Sequence, residues 1–352
     1  MIHPAAGASG RMMTLNASQL TLRLLDLGFL RKPEGILIEQ ASGRNRSVTL
    51  REEPDWAFFV KQSADSSVLL RRESAVYRRA STLPFGSHLP RLRHADRRLL
   101  ILDIVPGATS LAERASTRGG VQPATAARLG GAVAAIHRTE SRRFPRVGRP
   151  WALDLAAPPA EILREASAAN REILRIIHGS RRFCSELYAL RAAWRATAFV
   201  HGDLRAENVL LGSGDGVWIV DWELSGIGDP AWDVGSVFAS FLMSWIVSLP
   251  FVPGVAIEEL ARTARTPLSR IRPAIGGFWS AYADARGLTR RRRETLLLRS
   301  VRFAAARLVQ HAWELSNDAH HASGEIVCAL QASLNILRSP GNAAATLAGS
   351  RS

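Results

Sequence analysis

The sequence predicts an α+β chain in two lobes, with a small antiparallel-sheet lobe ahead of a larger helical one. Three observations predict it. Short β-branched and aromatic runs separated by turn signals crowd residues 35–105. Beyond Gly107, apolar residues recur at helical spacing over long stretches. One polar stretch, "FVHGDLRAENVLL" at 199–211, interrupts the helical part and sets acids between two apolar runs that favour burial.

The elements follow in order. Residues 1–16 read as a disordered leader, with Met12 and Met13 as alternative starts. "LTLRLLDLGFL" gives a helix at 17–28. "GILIEQ" (35–40), "SVTL" (47–50) and "WAFFVKQ" (56–62) read as three strands, turned by "ASGRNR" and "EEPD". "SSVLLRRESAVYRRAS" is a helix, and "RRLLILDIV" (97–105) a further strand closed by Pro106-Gly107. Helices follow over "PATAARLGGAVAAIHRT", 159–178 and 183–196. "ENVLLGSGDGVWIVDWE" reads as a hairpin around "GSGDG". The stretch 234–337 is mostly helix, and "GNAAATLAGSRS" a loose tail. The expected divisions are therefore leader 1–16, N-lobe 17–106, helical C-lobe 107–340 and flexible tail 341–352.

Composition narrows the class. Hydrophobic content of 47% with 22% charged residues describes a globular chain. Two cysteines, Cys184 and Cys328, are too few for a disulfide framework or a four-ligand zinc site, which fits a reducing, cytoplasmic setting. The start lacks a basic region followed by an apolar core, so no signal peptide is expected. From Val234 to Ile257 run 24 residues without a charge, but Pro250 and Pro253 break the stretch. Its serines 236, 240, 244 and 248 form one small stripe, as in a buried helix closely approached by a neighbour rather than a membrane span. Of 46 basic residues only Lys32 and Lys61 are lysines. A lysine kept in so arginine-biased a chain marks a position that wants a compact ammonium. The net charge of +15 comes with no aromatic-basic stacking pattern, so a nucleic-acid partner is not expected.

The interrupted stretch carries the chemistry. Asp203 stands in a loop before a strand, five residues ahead of Asn208. Such an acid can accept a proton from an attacking hydroxyl or orient it, and the Asn can offer a neutral oxygen to Mg²⁺. Asp221, thirteen residues after Asn208, ends the returning strand and can offer a carboxylate to the same metal. The hairpin sets both ends of the segment side by side.

"HGDLRAENVLL", "IVDWE" and "GDPAWDVG" resemble the catalytic motifs of the aminoglycoside phosphotransferase and choline kinase family, kinase-like enzymes that phosphorylate hydroxyls of small molecules. The resemblance spans residues 17–337. It implies a protein-kinase-like bilobal fold, an N-lobe that binds ATP, Mg²⁺ as cofactor, and a C-lobe that holds the acceptor. Asp203 matches the catalytic base, Asn208 and Asp221 the metal ligands, and His201 and Asp233 the braces of the catalytic loop. Glu223 stands where the family often has a second acid. On the third strand the family places a lysine and on the next helix a glutamate, here Lys61 and Glu73, whose ion pair would set the ammonium against the phosphates. The nucleotide loop "SGRNRSV" holds one glycine, Gly43, with Arg44 and Arg46 beside it and no G-x-G-x-x-G. The segment Asp103–Val105 is the expected hinge beside the adenine edge. Asp229, before Pro230, is expected to cap the next helix while Asp233 bonds the loop. His137 reads as a residue near the core, and Trp222 and Trp232 as packing beside the site.

The acceptor is constrained by charge. Residues 261–310 hold 12 arginines against Asp284 and Glu294, with "RGLTRRRRE" (286–294) dominating. A site near such a surface favours a neutral or anionic acceptor, small molecule or peptide, over a polycation. "VDWELSGIGDPAWDVGSVFASFLMSWIVSLP" is also similar to the kinase-like component of class V lanthipeptide synthetases, which phosphorylates Ser or Thr of a precursor peptide and works with separate lyase and cyclase partners. A catalytically silent pseudokinase is the alternative from another class; it would lack one of Lys61, Glu73, Asp203, Asn208 or Asp221, and all are present.

Overall fold

The structure is a computed structural model that describes residues 15–32, 36–40, 47–52, 56–63, 68–140, 144–212, 216–252, 255 and 257–349. The leader to residue 14 and the nucleotide loop with Gly43, Arg44 and Arg46 lie outside the described residues.

Helix α1 (Ala17–Asp26) opens on an Asn16 cap whose side chain accepts from Gln19 N, with Gln19 reaching back. Strands β1 (Ile36–Gln40), β2 (Ser47–Glu52) and β3 (Trp56–Gln62) precede α2 (Val68–Arg78), and β4 (Leu92–Ala95) and β5 (Leu99–Asp103) follow it. They form one antiparallel sheet in the order β1-β2-β3-β5-β4. β5 is buried on both faces because each face has a cover. Leu99 and Ile101 join Phe58 and Val60 in a cluster with Leu20 and Leu24 of α1. Leu100 and Leu102 point the other way, into the main core with Leu70 and Tyr77 of α2. The alternation of a strand then fixes Lys61: it shares the face of Phe59, which packs on the main core, and so projects toward α2. β4 was not read from the sequence; "LRHA" is short and half exposed.

The helical part begins with β6 (Thr109–Ser110), α3 (Leu111–Arg118) and α4 (Pro123–His137). The helix expected over 159–178 is two, α5 (Ala160–Glu165) and α6 (Ala168–His178), because Ser167 caps the second through Asn170 N. α7 (Arg181–Ala192) leads to β7 (Ala198–Val200), β8 (Val209–Leu211), β9 (Val217–Ile219) and β10 (Gly226–Gly228). β8 and β9 form the expected hairpin, with β6 added beside β8; residues 213–215 of its turn are outside the described set. β7 pairs with β10, so the strand that enters the polar stretch is tied to the strand after Asp221.

α8 (Pro230–Ile246), α9 (Ile257–Leu260), α10 (Leu268–Ala285), α11 (Arg290–Leu315), α12 (Gly324–Arg338) and α13 (Pro340–Ala348) complete the chain. α8 is buried along nearly its whole length and packs on α11. Gly235 makes the closest approach: a Cβ there would lie 2.7 Å from Ser300 O of α11. The serine stripe serves the loop as well, since Ser240 Oγ accepts from Ala206 N at 3.1 Å. Among the described residues no helix is long and apolar enough to cross a membrane.

The flexible tail expected over 341–352 is corrected by α13. Pro340 starts it at the first turn, Ala344 and Leu347 are buried in the main core, and Gly349 ends it in the left-handed region. Small, helix-favouring alanines made the segment look featureless, yet they are what fits against α10 and α11.

Candidate active site

β7 delivers the polar loop at Val200, and two buried groups set its path. Asp233 of α8 accepts from His201 N through Oδ2 (2.7 Å) and from Gly202 N through Oδ1 (2.9 Å). His137 of α4 stands behind it, with Nε2 3.2 Å from Asp233 Oδ2 and Nδ1 2.9 Å from the Tyr282 hydroxyl. Burial pushes His137 below the usual imidazole range against the pull of Asp233. The neutral ring then donates from Nε2 to the carboxylate and accepts the tyrosine O–H at Nδ1. His137 is thus part of the brace, beyond the core position expected for it. Trp232 Nε1 donates to Gly202 O at 2.9 Å. Asp229 caps α8 at Ala231 N and also accepts from Arg195 N and Arg299.

Gly202 has φ +85°, and a Cβ there would meet Leu224 O at 2.5 Å, a backbone atom with no easy retreat. Gly202→Ala is expected to destabilise the chain by about 1 kcal/mol or more, and to lower turnover because Asp203 is the next residue. A melting curve unchanged from wild type would mean that the loop has room this geometry denies it.

Beyond Gly202 the loop closes on itself. Asn208 Nδ2 donates to Asp203 O (2.9 Å) and lies 3.4 Å from Asp203 Oδ2. Both contacts use the amide nitrogen, which leaves its oxygen for a cation. Asn208 O accepts from Val220 N (3.0 Å), and Val220 O meets His201 Nε2 (2.9 Å). These bonds place Asp221 beside Asn208 across the β8–β9 hairpin. Asp221 has φ +66°, the positive value of a non-glycine residue found nowhere else among the described residues. Left-handed backbone in an Asp costs free energy, and it is kept here where the carboxylate must leave the strand at a fixed angle.

That carboxylate meets Lys61. The ammonium contacts Asp221 Oδ1 at 2.5 Å, Glu73 Oε2 at 2.7 Å and Glu223 Oε2 at 2.7 Å. So the Lys61–Glu73 pair forms, and Asp221 and Glu223 join it. Burial alone would weaken the ammonium, but Glu73, then Asp221 and Glu223, more than offset it and hold Lys61 charged. Glu73 is fully buried; that burial pushes it up, against Lys61, with the other two acids adding to the rise. Three carboxylates around one ammonium leave excess negative charge, which a divalent cation would neutralise.

The remaining expected positions are apart from this cluster. Asp103 ends β5 and pairs with Arg93 Nε at 2.5 Å, while its N–H donates to Arg91 O. Val105 is buried, and its carbonyl accepts from Ala108 in the turn at Gly107.

Two residues were missed by sequence reading. Arg307 of α11 is fully buried and its Nη2 lies 2.6 Å from Asp203 Oδ1. Arg205 Nε is 3.6 Å from Asp203 Oδ2, and its Nη1 is 3.2 Å from Glu314 of α11. Burial alone would raise Asp203, but Arg307 first, then Arg205 and His201, hold it well below the usual carboxylate range. Arg205 lay within the motif and could have been found; Arg307 carries no signal among 44 arginines. The run Arg290–Arg293 sits at the far end of α11, roughly 25 Å of helix axis from Arg307. Arg290 pairs there with Glu294 and Arg293 with Asp284, in solvent. At that separation salt screens it from Asp203, whose cationic partners among the described residues include Arg205 and Arg307.

The sequence profile described as the phosphotransferase enzyme family matches residues 37–270, well over half of the chain. The chain belongs to that family. Viomycin phosphotransferase of Streptomyces vinaceus is 34% identical over 149 residues, which cover 40% of this chain and 50% of that protein. The chain therefore matches about half the length of this curated relative. Among solved structures, a Plasmodium vivax ethanolamine kinase superposes with a TM-score of 0.56 at 13% identity, over 94% of this chain and 91% of the other. Choline kinase LicA from Streptococcus pneumoniae gives 0.51 at 13% identity, over 91% and 98%. These likenesses establish the bilobal kinase-like fold of the family member.

Proposed function

We propose that the chain transfers the γ-phosphoryl group of ATP, with Mg²⁺, to the hydroxyl of a small-molecule acceptor. One observation carries the reading: Lys61 and Asp203, from opposite lobes, meet at the hairpin, Lys61 in an ion pair with Asp221 and Asp203 in a hydrogen bond from Asn208 beside it. LicA has been solved with AMP, which supports a nucleotide as donor in this fold.

In this reading the Lys61 ammonium, positioned by Glu73, contacts the nucleotide phosphates. Asn208 and Asp221, with Glu223 beside them, would hold Mg²⁺, which neutralises phosphate charge. Asp203 orients the acceptor hydroxyl and takes its proton as the new P–O bond forms. Arg307 and Arg205 keep this carboxylate ionised and fix its direction, so it accepts the hydrogen bond of the hydroxyl and orients it. That suffices where the phosphoryl group leaves ahead of full attack. Arg205 and Arg307 beside Asp203 favour a neutral or anionic acceptor over a polycation. The relatives' names favour a small molecule over a precursor peptide with lyase and cyclase partners.

The test is ADP formation from Mg·ATP with a panel of acceptors: viomycin, choline, ethanolamine and a Ser/Thr peptide. Turnover raised by one of the first three supports the reading; turnover raised by the peptide alone moves the chain to peptide modification. Within the same assay, Asp221→Ala is expected to weaken Mg·ATP binding at least about tenfold, since it removes the carboxylate in shortest contact with Lys61. Unchanged Mg·ATP affinity by calorimetry would remove Asp221 from the metal site.

A further inference from the structure

We propose that Arg307 is a positioning residue for Asp203: its guanidinium holds Oδ1 of the carboxylate and leaves Oδ2 as the oxygen that meets the acceptor hydroxyl. This rests on the reading of Asp203 as the acceptor-facing carboxylate. The two oxygens are held unequally. Oδ1 lies 2.6 Å from Arg307 Nη2. Among the described residues the partners of Oδ2 are farther off, Asn208 Nδ2 at 3.4 Å and Arg205 Nε at 3.6 Å. Asp203 keeps 16% side-chain exposure while Arg307 has none, so the carboxylate is gripped from inside and open on its outer side.

The grip itself is supported by the same loop. The Arg307 guanidinium lies over the Trp232 ring, 5.8 Å from its centroid. Trp232 Nε1 donates to Gly202 O, one residue before Asp203. Carboxylate, guanidinium and indole are thus contributed by the loop, α11 and α8, and each fixes the next. As a stabilising device the pair is poor. Arg307 Nε and Nη1 are buried without a hydrogen bond among the described residues, which costs free energy that apolar packing would not. As a way to fix the direction of one oxygen it is effective, and direction is what in-line attack on phosphorus requires.

The test is a double-mutant cycle on the full chain, read as ADP release from Mg·ATP with water as the acceptor. The proteins are wild type, Arg307→Met, Asp203→Asn and the double variant. Arg307→Met is expected to lower kcat about tenfold or more, with KM for Mg·ATP held within about twofold. In the Asp203→Asn background the same change is expected to cost nothing further, because Arg307 acts only through that carboxylate. An equal loss in both backgrounds, or an unchanged kcat in the first, overturns the proposal while leaving Asp203 in its role. Asp203→Asn at the wild-type rate sinks the role of Asp203 and this proposal with it. If melting curves show that Arg307→Met does not fold, Arg307→Lys replaces it in the cycle; it keeps the charge and loses the fork, and the same outcomes decide.

Discussion

Asp203→Asn is expected to lower phosphoryl transfer to the best acceptor of the panel by about a hundredfold or more, the usual scale for loss of a positioned proton acceptor. The variant keeps the shape of the side chain and an oxygen for Arg307, and loses the charge and the proton acceptor. Binding of Mg·ATP should persist, because Lys61, Glu73, Asp221 and Glu223 are untouched. The structure adds a cost that the sequence did not suggest. Arg307 is fully buried with Asp203 as its ion-pair partner, so the Asn variant leaves a guanidinium without its counter-charge. A lower melting temperature is therefore expected with the loss of turnover, and the folded fraction must be measured at the assay temperature. Near wild-type turnover in fully folded protein would show that another group serves the hydroxyl.

Lys61→Arg is expected to cost about tenfold or more in turnover at saturating nucleotide, equivalent to about 1.4 kcal/mol of transition-state stabilisation. The charge is conserved, so a surface lysine would tolerate the change, as a chain with 44 arginines suggests. The structure places this lysine where its three protons meet three carboxylates at 2.5–2.7 Å, with a side chain only 6% exposed. A planar guanidinium is larger and cannot spread its donors in the same way. Overpacking at a buried site adds a destabilisation of about 1–3 kcal/mol, so the melting curve should fall as well. Equal rates and equal melting curves would return Lys61 to the role of one cation among many.

Much of the site was legible because its residues sit in local frames. His201, Asp203 and Asn208 lie within eight residues of one another, and the apolar runs on either side fix the strands that hold them. Asp221 follows from the hairpin, whose length sets both ends together. Lys61 and Glu73 were legible from the family resemblance, which places a lysine on the third strand and a glutamate on the next helix, combined with the rarity of lysine. β4 and β10 were not, since three- and four-residue strands are specified by their partners rather than by their own pattern. The tail helix was missed for a related reason: nine residues of modest propensity are marginal alone and are stabilised by the core they cover.

The sequence by itself determined the class of fold, the order of its longer elements and the motif that bears Asp203, Asn208 and Asp221, because these depend on periodicity and short spacings. Only the tertiary structure decided which charges share a space. It gathered Glu73, Asp221 and Glu223 around Lys61 from two separate segments, up to 162 residues away from it. It brought His137 behind Asp233, and it chose Arg307 from 44 arginines to face Asp203 across 104 residues. It also moved the weight of positive charge from the exposed run at 290–293 to two guanidinium groups at the loop. The physical reason is range. Backbone preferences act over a few residues and leave a mark in the sequence, whereas an electrostatic contact depends on distance in space, and its strength on the water excluded around it, neither of which a linear pattern records.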